Sequence, residues 1–560
     1  MTAPDECTNA PQQSHASTLP PVSDDREQDR IPRVGHRAGT GPAGEETLRE
    51  FVFRSVIPGA IAATLVAIGA FGVGWLPLDT SLLNWPVVDA MRSTLLGSVV
   101  CRASVLVGIA LLLQSWLLLG HDVLRGRVPQ VHRLWLAMAA WCAPIVLAPP
   151  LFSRDVYSYF AQGKLMAAGI DPYTNGSATI PGWFPAGVDP MWAEAPTPYG
   201  QFYLLLERGV AEFAGTKPYT GAMTFRFLAV VGVALMAWGV PKLARAGGIA
   251  PTKALWLGVM NPLVIMHFIS GCHNDALMIG MIIAGLAIAA CHQRILGVVI
   301  VILGSSVKPI GLIALPFVGL IWAGGQATVR RRWLCYAGTA GIALVILGTL
   351  AATTRTGFGW ISALGTPGAV ETWLSPPTAI GMTLGAGLSL VGLHVSGAVV
   401  SIFRVLGTVA SAVALVWLCL KPEGRTPIRG AALAFFAIVV LGPVVQPWYL
   451  LWSIPLFAAS GLSRVEFRVA VVGISGLALW GLVTSSATQD ALLKVPDGVA
   501  LLAVAAVIAL VMAVSPQERR LLLGEGRSYS LEPETVAALA MQRELIVARP
   551  AVSAATTPDP

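Results

Sequence analysis

Long apolar segments recur along most of the 560-residue chain, and they contain very few charged side chains. A segment of about 18 residues or more is long enough to cross a hydrocarbon core about 30 Å thick. Asp, Glu, Lys and Arg make up only 12% of the chain, whereas soluble domains contain about 25%. Because lipid offers the backbone no hydrogen bonds, such spans must be α-helical. The sequence therefore predicts an all-α polytopic membrane protein.

The apolar segments predict a bundle of about 12–14 transmembrane segments. Two short segments, near 295–306 and 309–324, are too short to span the bilayer comfortably at about 1.5 Å per residue. They predict either a hairpin that enters and leaves the same face of the membrane or a span broken at Pro309. The twelve spans are predicted near 54–76, 98–119, 133–151, 222–241, 253–271, 275–292, 333–352, 399–420, 429–445, 447–461, 466–486 and 496–514.

Basic residues predict the orientation of these spans, because Lys and Arg are enriched in cytoplasmic loops. In this chain they occur in alternate loops and in the N-terminal region, which requires an even number of crossings and both termini in the cytoplasm. The loop positions are Arg125, Arg127, Lys242, Arg245, Arg330, Arg331, Arg332, Lys421, Arg425, Arg429, Arg464, Arg468, Arg519 and Arg520.

Composition divides the chain into three regions. Residues 1–50 are polar and lack the apolar core of a signal peptide, so they predict a disordered cytoplasmic tail. Residues 51–515 form the predicted membrane domain, and residues 516–560 a second cytoplasmic tail. The formal net charge of +7 arises from membrane loops, so it does not indicate nucleic-acid binding.

Two long connections are predicted on the face away from the cytoplasm, roughly 152–221 and 353–398. Both are rich in Trp, Tyr, Pro and Gly, and the stretch from Phe202 to Phe213 is amphipathic. Loops of this length in a compact protein are usually functional. They predict outward-facing loops that carry interfacial helices.

The first candidate motif follows the third predicted span. Arg154 and Asp155 lie together at the membrane edge, followed by Tyr157 and Tyr159. Charged residues at such a position are costly unless they have a function. The Asp155 carboxylate could act as a general base that takes a proton from a sugar hydroxyl. Alternatively, Ser153 or Asp155 caps the following helix.

The second candidate motif is the tripeptide His273-Asn274-Asp275, at a predicted outer turn. His273 could donate a hydrogen bond to a phosphate or sugar oxygen, whereas Asp275 could also cap the next helix.

The third candidate is Lys308, between the two short apolar segments. An ammonium group at membrane depth needs an anion or a water-filled cavity. The sequence favours binding of a lipid-linked phosphate over snorkelling of the side chain to the interface.

The fourth candidate motif is Gln446-Pro447-Trp448-Tyr449, also on the predicted outer side. The aromatic residues could belong to an interfacial belt or stack on a sugar ring. Arg355 and Asp171 are weaker candidates, since Asp171 precedes Pro172 and could be a turn residue.

Several sequence signatures are absent from the chain. It contains neither a Walker-type phosphate loop nor a dinucleotide fingerprint, and no dense His/Asp/Glu cluster predicts a metal site. No cofactor is therefore predicted, and an enzyme of this layout would take an activated substrate from the membrane.

Taken together, the motifs resemble the actinobacterial polyprenol-phosphate-mannose-dependent α-1,6-mannosyltransferases, which belong to the GT-C class of multi-span glycosyltransferases. The resemblance covers roughly residues 50–515 and favours the MptB-like branch over its MptA-like relative. The motifs that carry it are Arg154-Asp155-Val156-Tyr157-Ser158-Tyr159, Gly169-Ile170-Asp171-Pro172-Tyr173, Asn261-Pro262, Gly271-Cys272-His273-Asn274-Asp275, Val307-Lys308-Pro309 and Gln446-Pro447-Trp448-Tyr449.

This resemblance implies a function in the plasma membrane. The donor would be β-linked polyprenyl phosphate mannose, and the acceptor a lipid-anchored α-1,6-mannan, the core of lipomannan and lipoarabinomannan, outside the cell. Transfer would invert the sugar's configuration. Asp155 would be the catalytic base, and Lys308, with His273 or Arg355, would bind the donor phosphate. The other predicted substrate-binding residues are Arg154, Tyr157, Tyr159, Asp171, Asn274, Asp275, Gln446, Trp448 and Tyr449.

Two alternatives remain open from the residues themselves. A GT-C transferase with a different sugar or acceptor would have the same layout. A transporter or flippase of lipid-linked sugars also uses broken helices with polar groups, but it would bind its substrate near the midplane of the membrane.

Overall fold

The computed structural model describes residues 47–481, 516–523 and 531, and helices are the only regular secondary structure in these ranges. Five helices are long and apolar enough to cross a membrane, and a sixth crossing is added if the bent pair Val264–Ser270 and Asp275–Ala290 is one span. The predicted all-α polytopic membrane fold is confirmed. Helices of this length are fewer than the 12–14 crossings predicted, because the other predicted segments in this part of the chain are shorter or broken helices.

The helices of the first half include the bent pair on either side of the break that precedes Asp275. In chain order they are α1 (Leu48–Val73), α2 (Pro86–Ser93), α3 (Leu95–Leu124), α4 (Val131–Val146), α5 (Asp155–Ala167), α6 (Gln201–Ala214), α7 (Pro218–Ala246), α8 (Pro251–Gly258), the π-helical segment Val264–Ser270, α9 (Asp275–Ala290) and α10 (Arg294–Ser305).

The second half contains two further breaks, each with a 3₁₀-helix. In chain order the elements are the 3₁₀-helix Pro309–Ala314, α11 (Leu315–Ala323), α12 (Val329–Thr354), α13 (Trp360–Ala363), α14 (Pro376–Leu390), α15 (Ser396–Leu420), α16 (Pro427–Leu441), the 3₁₀-helix Pro447–Trp452, α17 (Ile454–Ser460), α18 (Arg464–Trp480) and α19 (Pro516–Leu523).

The predicted break near Pro309 is present, since α10 ends at Ser305 and a 3₁₀-helix begins at Pro309. The predicted spans 253–271 and 447–461 differ from the structure, because each is divided into two short helical pieces. Pro262 lies at the first division and Pro455 directly follows the second, and proline removes a backbone donor. The predicted span 496–514 lies outside the described residues.

Two helices present large apolar side chains to their surroundings. Leu344 and Val345 on α12 and Val409 and Val413 on α15 are all exposed. A soluble protein rarely exposes a continuous apolar surface of this kind, whereas lipid tails are its natural partner. These helix faces therefore contact lipid.

The helices around the site pack through small residues. On α7 and α9, Gly232 and Gly280 face each other so closely that a Cβ atom at Gly280 would collide with the Gly232 carbonyl oxygen. Small residues at such contacts allow helix backbones to approach in membranes. This contact fixes α9, whose first residue is Asp275.

Replacing Gly280 with Ala should lower the thermal unfolding temperature of the detergent-solubilised protein, because overpacking a tight contact costs about 1–3 kcal/mol. Gly341→Ala on α12 is the matched control, since its added Cβ meets no atom within 4 Å. Intrinsic fluorescence during heating measures both. Equal unfolding temperatures for the two variants would contradict the close-packed contact.

Arg226 on α7 holds two chain segments that lead into the site. Its buried guanidinium donates to the carbonyl oxygens of Val146 (3.0 Å), Ala148, Ile269 (3.0 Å) and Ser270 (3.1 Å). These carbonyls lie at the ends of α4 and of the π-helical segment, where no helical donor is left for them. Arg226 therefore joins the segment before Asp155 to the segment before His273.

The connection between α4 and α7 carries the predicted amphipathic helix as α6, which covers Phe202 to Phe213.

Towards the C-terminus, Leu521 on α19 is buried, and Leu531 exchanges backbone hydrogen bonds with Leu462. Packing thus continues beyond residue 515 into the region predicted to be a tail.

Candidate active site

A cavity of about 720 Å³, counted with its open mouth, lies where the broken helices and the two long connections meet. Five chain segments contribute to it: the start of α5, the chain before α6, the break at Lys308, the chain before α14 and the chain after α16. Its lining residues are Asp155, Ser158, Gln162, Trp192, Ala195, Pro196, Pro198, Tyr199, Lys308, Thr366, Val370, Val444, Gln446, Trp448 and Tyr449.

Asp155 is the first residue of α5, and its carboxylate faces the cavity. The backbone N–H of Asp155 donates to Ser153 Oγ (3.1 Å), so the serine side chain, rather than the Asp155 carboxylate, bonds the start of the helix. Burial raises the pKa of the Asp155 carboxyl from 3.8 to about 6, although the nearby Lys308 ammonium opposes the rise. A carboxylate with this pKa accepts a proton near neutral pH.

His273 lies behind the Asp155 carboxylate, inside the protein, and does not line the cavity. Its Nδ1 is 3.5 Å from Asp155 Oδ2, and its ring stacks on Trp448 with 3.8 Å between the ring centroids. The imidazole is buried, with 1% of its side chain exposed. This position suits support of the carboxylate better than direct contact with a substrate phosphate.

Lys308 ends in an ion pair with Asp275. Its Nζ lies 2.8 Å from Asp275 Oδ1, which also accepts a hydrogen bond from Trp452 Nε1 (2.7 Å). The ammonium also faces the rings of Tyr449 and Trp452 at 5.0 and 5.3 Å. The side chain does not snorkel to the membrane interface, because its ammonium group pairs with the buried Asp275 carboxylate. An ammonium has three N–H donors, so donors remain for a ligand in the cavity.

The motif at 446–449 forms one wall of the cavity. Gln446, Trp448 and Tyr449 all line it, and Trp448 is buried within the protein. Trp448 is therefore not a belt residue exposed at the membrane surface. The structure thus brings Asp155, Lys308 and this motif together from positions far apart in the chain.

Other predicted substrate-binding residues have partners elsewhere. Arg154 donates to the carbonyl oxygens of Gly187 (2.7 Å) and Val188 (2.8 Å), and its guanidinium lies over the Trp75 ring. Tyr157 donates to the Trp75 carbonyl oxygen (2.8 Å). Both are buried and hold the chain around the site.

Tyr159 packs edge-on against Tyr199 and Tyr203, and Asn274 is buried with neither amide atom hydrogen-bonded within the described residues. Neither side chain is on the cavity wall.

Two predicted residues lie apart from the cavity. Asp171 Oδ1 accepts the backbone N–H of Tyr173 (2.9 Å), which is the turn interaction left open by the sequence. Arg355 is exposed just after α12 and does not line the cavity.

Several cavity residues were not predicted, among them Ser158, Gln162, Trp192, Tyr199 and Thr366. The sequence could have predicted Ser158 and Gln162 as cavity residues, because they lie three and seven residues after Asp155 and so share its helix face. The sequence does not predict Trp192 and Thr366 as cavity residues, because irregular loops have no period that shows which side chains turn inward.

Comparison with known proteins gives the same family as the motifs. Residues 56–324 match the alpha-(1→6)-mannopyranosyltransferase N-terminal domain, and residues 377–515 match the MptB C-terminal domain. No solved structure shows significant similarity to the chain.

Curated relatives match along most of their length. A probable alpha-(1→6)-mannopyranosyltransferase of Mycolicibacterium smegmatis is 34% identical over 467 residues, which cover 75% of this chain and 81% of the relative. An alpha-(1→6)-mannopyranosyltransferase of Mycobacterium tuberculosis is 32% identical over 530 residues (81% and 86%). Alpha-(1→6)-mannopyranosyltransferase A of the same organism is 32% identical over 438 residues (76% and 83%). The chain belongs to the MptA/MptB family of alpha-(1→6)-mannopyranosyltransferases.

Proposed function

We propose that this chain is an inverting membrane mannosyltransferase that uses polyprenyl phosphate mannose to extend an α-1,6-mannan on the outer face of the plasma membrane. The observation that carries the proposal is one cavity in which a carboxylate of raised pKa, Asp155, and a half-buried cation, Lys308, lie together. Membership in the family supports the sugar and the linkage, and the match of residues 377–515 supports the MptB-like branch.

In the proposed reaction, Asp155 takes the proton from the attacking hydroxyl of the acceptor mannose. The hydroxyl oxygen forms a bond to the donor's anomeric carbon while the bond from that carbon to the phosphate oxygen breaks. The electron pair of the broken bond leaves with the polyprenyl phosphate. A single in-line displacement converts a β-linked donor into an α-linked product.

Lys308 is proposed to stabilise the negative charge that develops on the departing phosphate. Charge held in position before the reaction stabilises a transition state without reorganisation. Asp275 Oδ1 accepts a hydrogen bond from the ammonium and so holds it in place, while Trp452 Nε1 donates to the same oxygen and holds the carboxylate. His273 is proposed to orient the Asp155 carboxylate, because it lies 3.5 Å from it and is buried.

The connectivity of the helices supports the outward orientation. The helices α4, α12 and α16 each begin beside basic residues (Arg127, Arg331 and Arg429, respectively) and lead at their other ends to segments that line the cavity. If the basic ends are cytoplasmic, as the positive-inside rule predicts, the cavity opens on the opposite face, where a lipid-anchored mannan would be extended.

The proposal is tested with the purified full-length protein in nanodiscs, radiolabelled polyprenyl phosphate mannose and a short α-1,6-mannoside. We expect a product one mannose longer, with an α-1,6 linkage assigned by NMR. Polyprenyl phosphate glucose and arabinose are supplied in parallel. Faster transfer from either of these would overturn the assignment of mannose, and donor binding without any transfer would favour the transporter.

The rate of transfer should rise with pH through about 6 and level off near pH 7.5. The reason is that a base must be deprotonated to work, and burial raises the pKa of Asp155 from 3.8 to about 6. Initial rates in buffers of constant ionic strength measure the profile. A rate that is flat from pH 5 to 8 would show that a group of this pKa does not limit the reaction.

A further inference from the structure

Three polar side chains lie along one face of α5 and line the cavity: Asp155, Ser158 and Gln162. Their spacing of three and four residues places them one above another on the helix. We propose that Ser158 and Gln162 form the binding subsite for the acceptor sugar, beside the base that deprotonates it. This inference rests on the proposed function and adds the residues that hold the acceptor.

Ser158 has a hydroxyl that the described residues leave without a partner. The residue is 3% exposed and lines the cavity, and its Oγ makes no hydrogen bond within the described part of the chain. A buried hydroxyl without a partner is costly, and a serine in a helix can usually bond to a carbonyl one turn earlier. A sugar hydroxyl in the cavity would supply the missing partner.

Gln162 is oriented by its neighbour Thr197. The Thr197 hydroxyl donates to Gln162 Oε1 (3.1 Å), while the backbone N–H of Tyr199 donates to Thr197 Oγ1 (3.4 Å). The threonine hydroxyl has one hydrogen to donate, and Gln162 Oε1 is its acceptor. The amide oxygen of Gln162 is thereby occupied, and the structure gives its Nε2 no partner within the described residues. Two N–H donors are left for a ligand.

The chemistry of these groups fits a neutral sugar rather than the donor phosphate. Ser158 and Gln162 are uncharged, whereas Lys308 supplies the cation among the described lining residues. The base must lie beside the acceptor hydroxyl, and Asp155 is on the same helix face as these two groups. Trp192, half-buried on the neighbouring loop, offers an apolar ring to the sugar's C–H face.

The loop that carries Trp192 is held against the second long connection. Thr366 Oγ1 donates to the Pro196 carbonyl oxygen (3.1 Å), and both residues line the cavity. Arg404 on α15 in turn donates to the carbonyl oxygens of Gly368 (2.9 Å) and Val370 (2.8 Å). The wall beside the subsite is therefore held in place from a membrane helix.

The experiment measures binding of an α-1,6-dimannoside to the full-length protein in nanodiscs, without donor, by titration calorimetry. Ser158→Ala and Gln162→Met should each raise the Kd by about 3- to 10-fold, as expected for loss of one hydrogen bond to a neutral group. Ser177→Ala is the matched control, because Ser177 is a buried serine of the same connection that does not line the cavity. Its Kd should equal that of the wild type.

Variants of Thr197 test whether its hydroxyl orients Gln162 or whether its side chain only fills space. Thr197→Val removes the hydroxyl that orients Gln162 and should raise the Kd, whereas Thr197→Ser keeps the hydroxyl and should restore it. In transfer assays, Ser158→Ala and Gln162→Met should raise the KM for the mannoside and leave the KM for the lipid donor unchanged.

The outcomes of this experiment are distinct from those of the transfer assay. Binding that depends on Ser158 and Gln162 would support the subsite even if no mannose were transferred, and only the proposed reaction would then fail. Wild-type affinity in both variants, or a changed KM for the donor alone, would overturn the subsite while transfer itself persisted.

Discussion

Replacing Asp155 with Asn should reduce mannosyl transfer by about 10³-fold, within the range of about 10² to 10⁴ that a general base contributes. Asparagine has the same shape as aspartate but does not accept the proton of the acceptor hydroxyl. The side chain is only 17% exposed, so water would not replace it readily as a base. Initial rates with radiolabelled polyprenyl phosphate mannose measure the loss, and thermal unfolding in detergent verifies the fold.

Asp171→Asn provides a matched control in the same connection. Asp171 Oδ1 accepts the backbone N–H of Tyr173 (2.9 Å), and an asparagine oxygen makes the same turn. Its activity should equal that of the wild type. If Asp155→Asn also kept more than a tenth of wild-type activity, Asp155 would not be the base, although the family assignment would be unaffected.

Replacing Lys308 with Met should remove both activity and stability. The Asp275 side chain is 1% exposed, and loss of its cation would leave a buried charge whose side-chain hydrogen bond, among the described residues, comes from Trp452 Nε1 alone. Removing one partner of a buried ion pair typically costs about 3–5 kcal/mol. We expect a lower unfolding temperature together with loss of transfer.

A double variant separates these two effects. Lys308→Met combined with Asp275→Asn removes both charges, and the asparagine oxygen can still accept from Trp452. The unfolding temperature should return most of the way to that of the wild type, while transfer stays absent because the donor phosphate has no cation. Recovery of transfer in the double variant would mean that Lys308 serves only to neutralise Asp275.

The helical fold was predictable because the membrane limits the choices. A long apolar segment in lipid must satisfy its own backbone hydrogen bonds, so length and composition are sufficient to predict a helix. The span near 399–420 illustrates this, since the structure contains α15 at Ser396–Leu420. The span near 447–461 shows the limit, because the apolar segment is divided next to Pro455 into a 3₁₀-helix and a short α-helix.

Site residues differed in how far their sequence neighbourhood predicted their position. Asp155, Lys308 and Trp448 are polar or aromatic residues beside helix breaks, and all three line the cavity. Arg154 and Tyr157 looked equally unusual in sequence, but both side chains turn to backbone carbonyls. A one-residue step along a helix turns a side chain by about 100°, so neighbours in one motif face different surroundings.

The amino-acid sequence alone determined the all-helical membrane fold, the break near Pro309 and the family, because these follow from apolar length, proline chemistry and motif order. Only the tertiary structure decided which polar groups meet. The contacts of Asp155 with His273, of Lys308 with Asp275 and of Gln162 with Thr197 join positions 118, 33 and 35 residues apart. Such contacts depend on how helices pack through small residues such as Gly232 and Gly280, and a local sequence pattern does not contain that information.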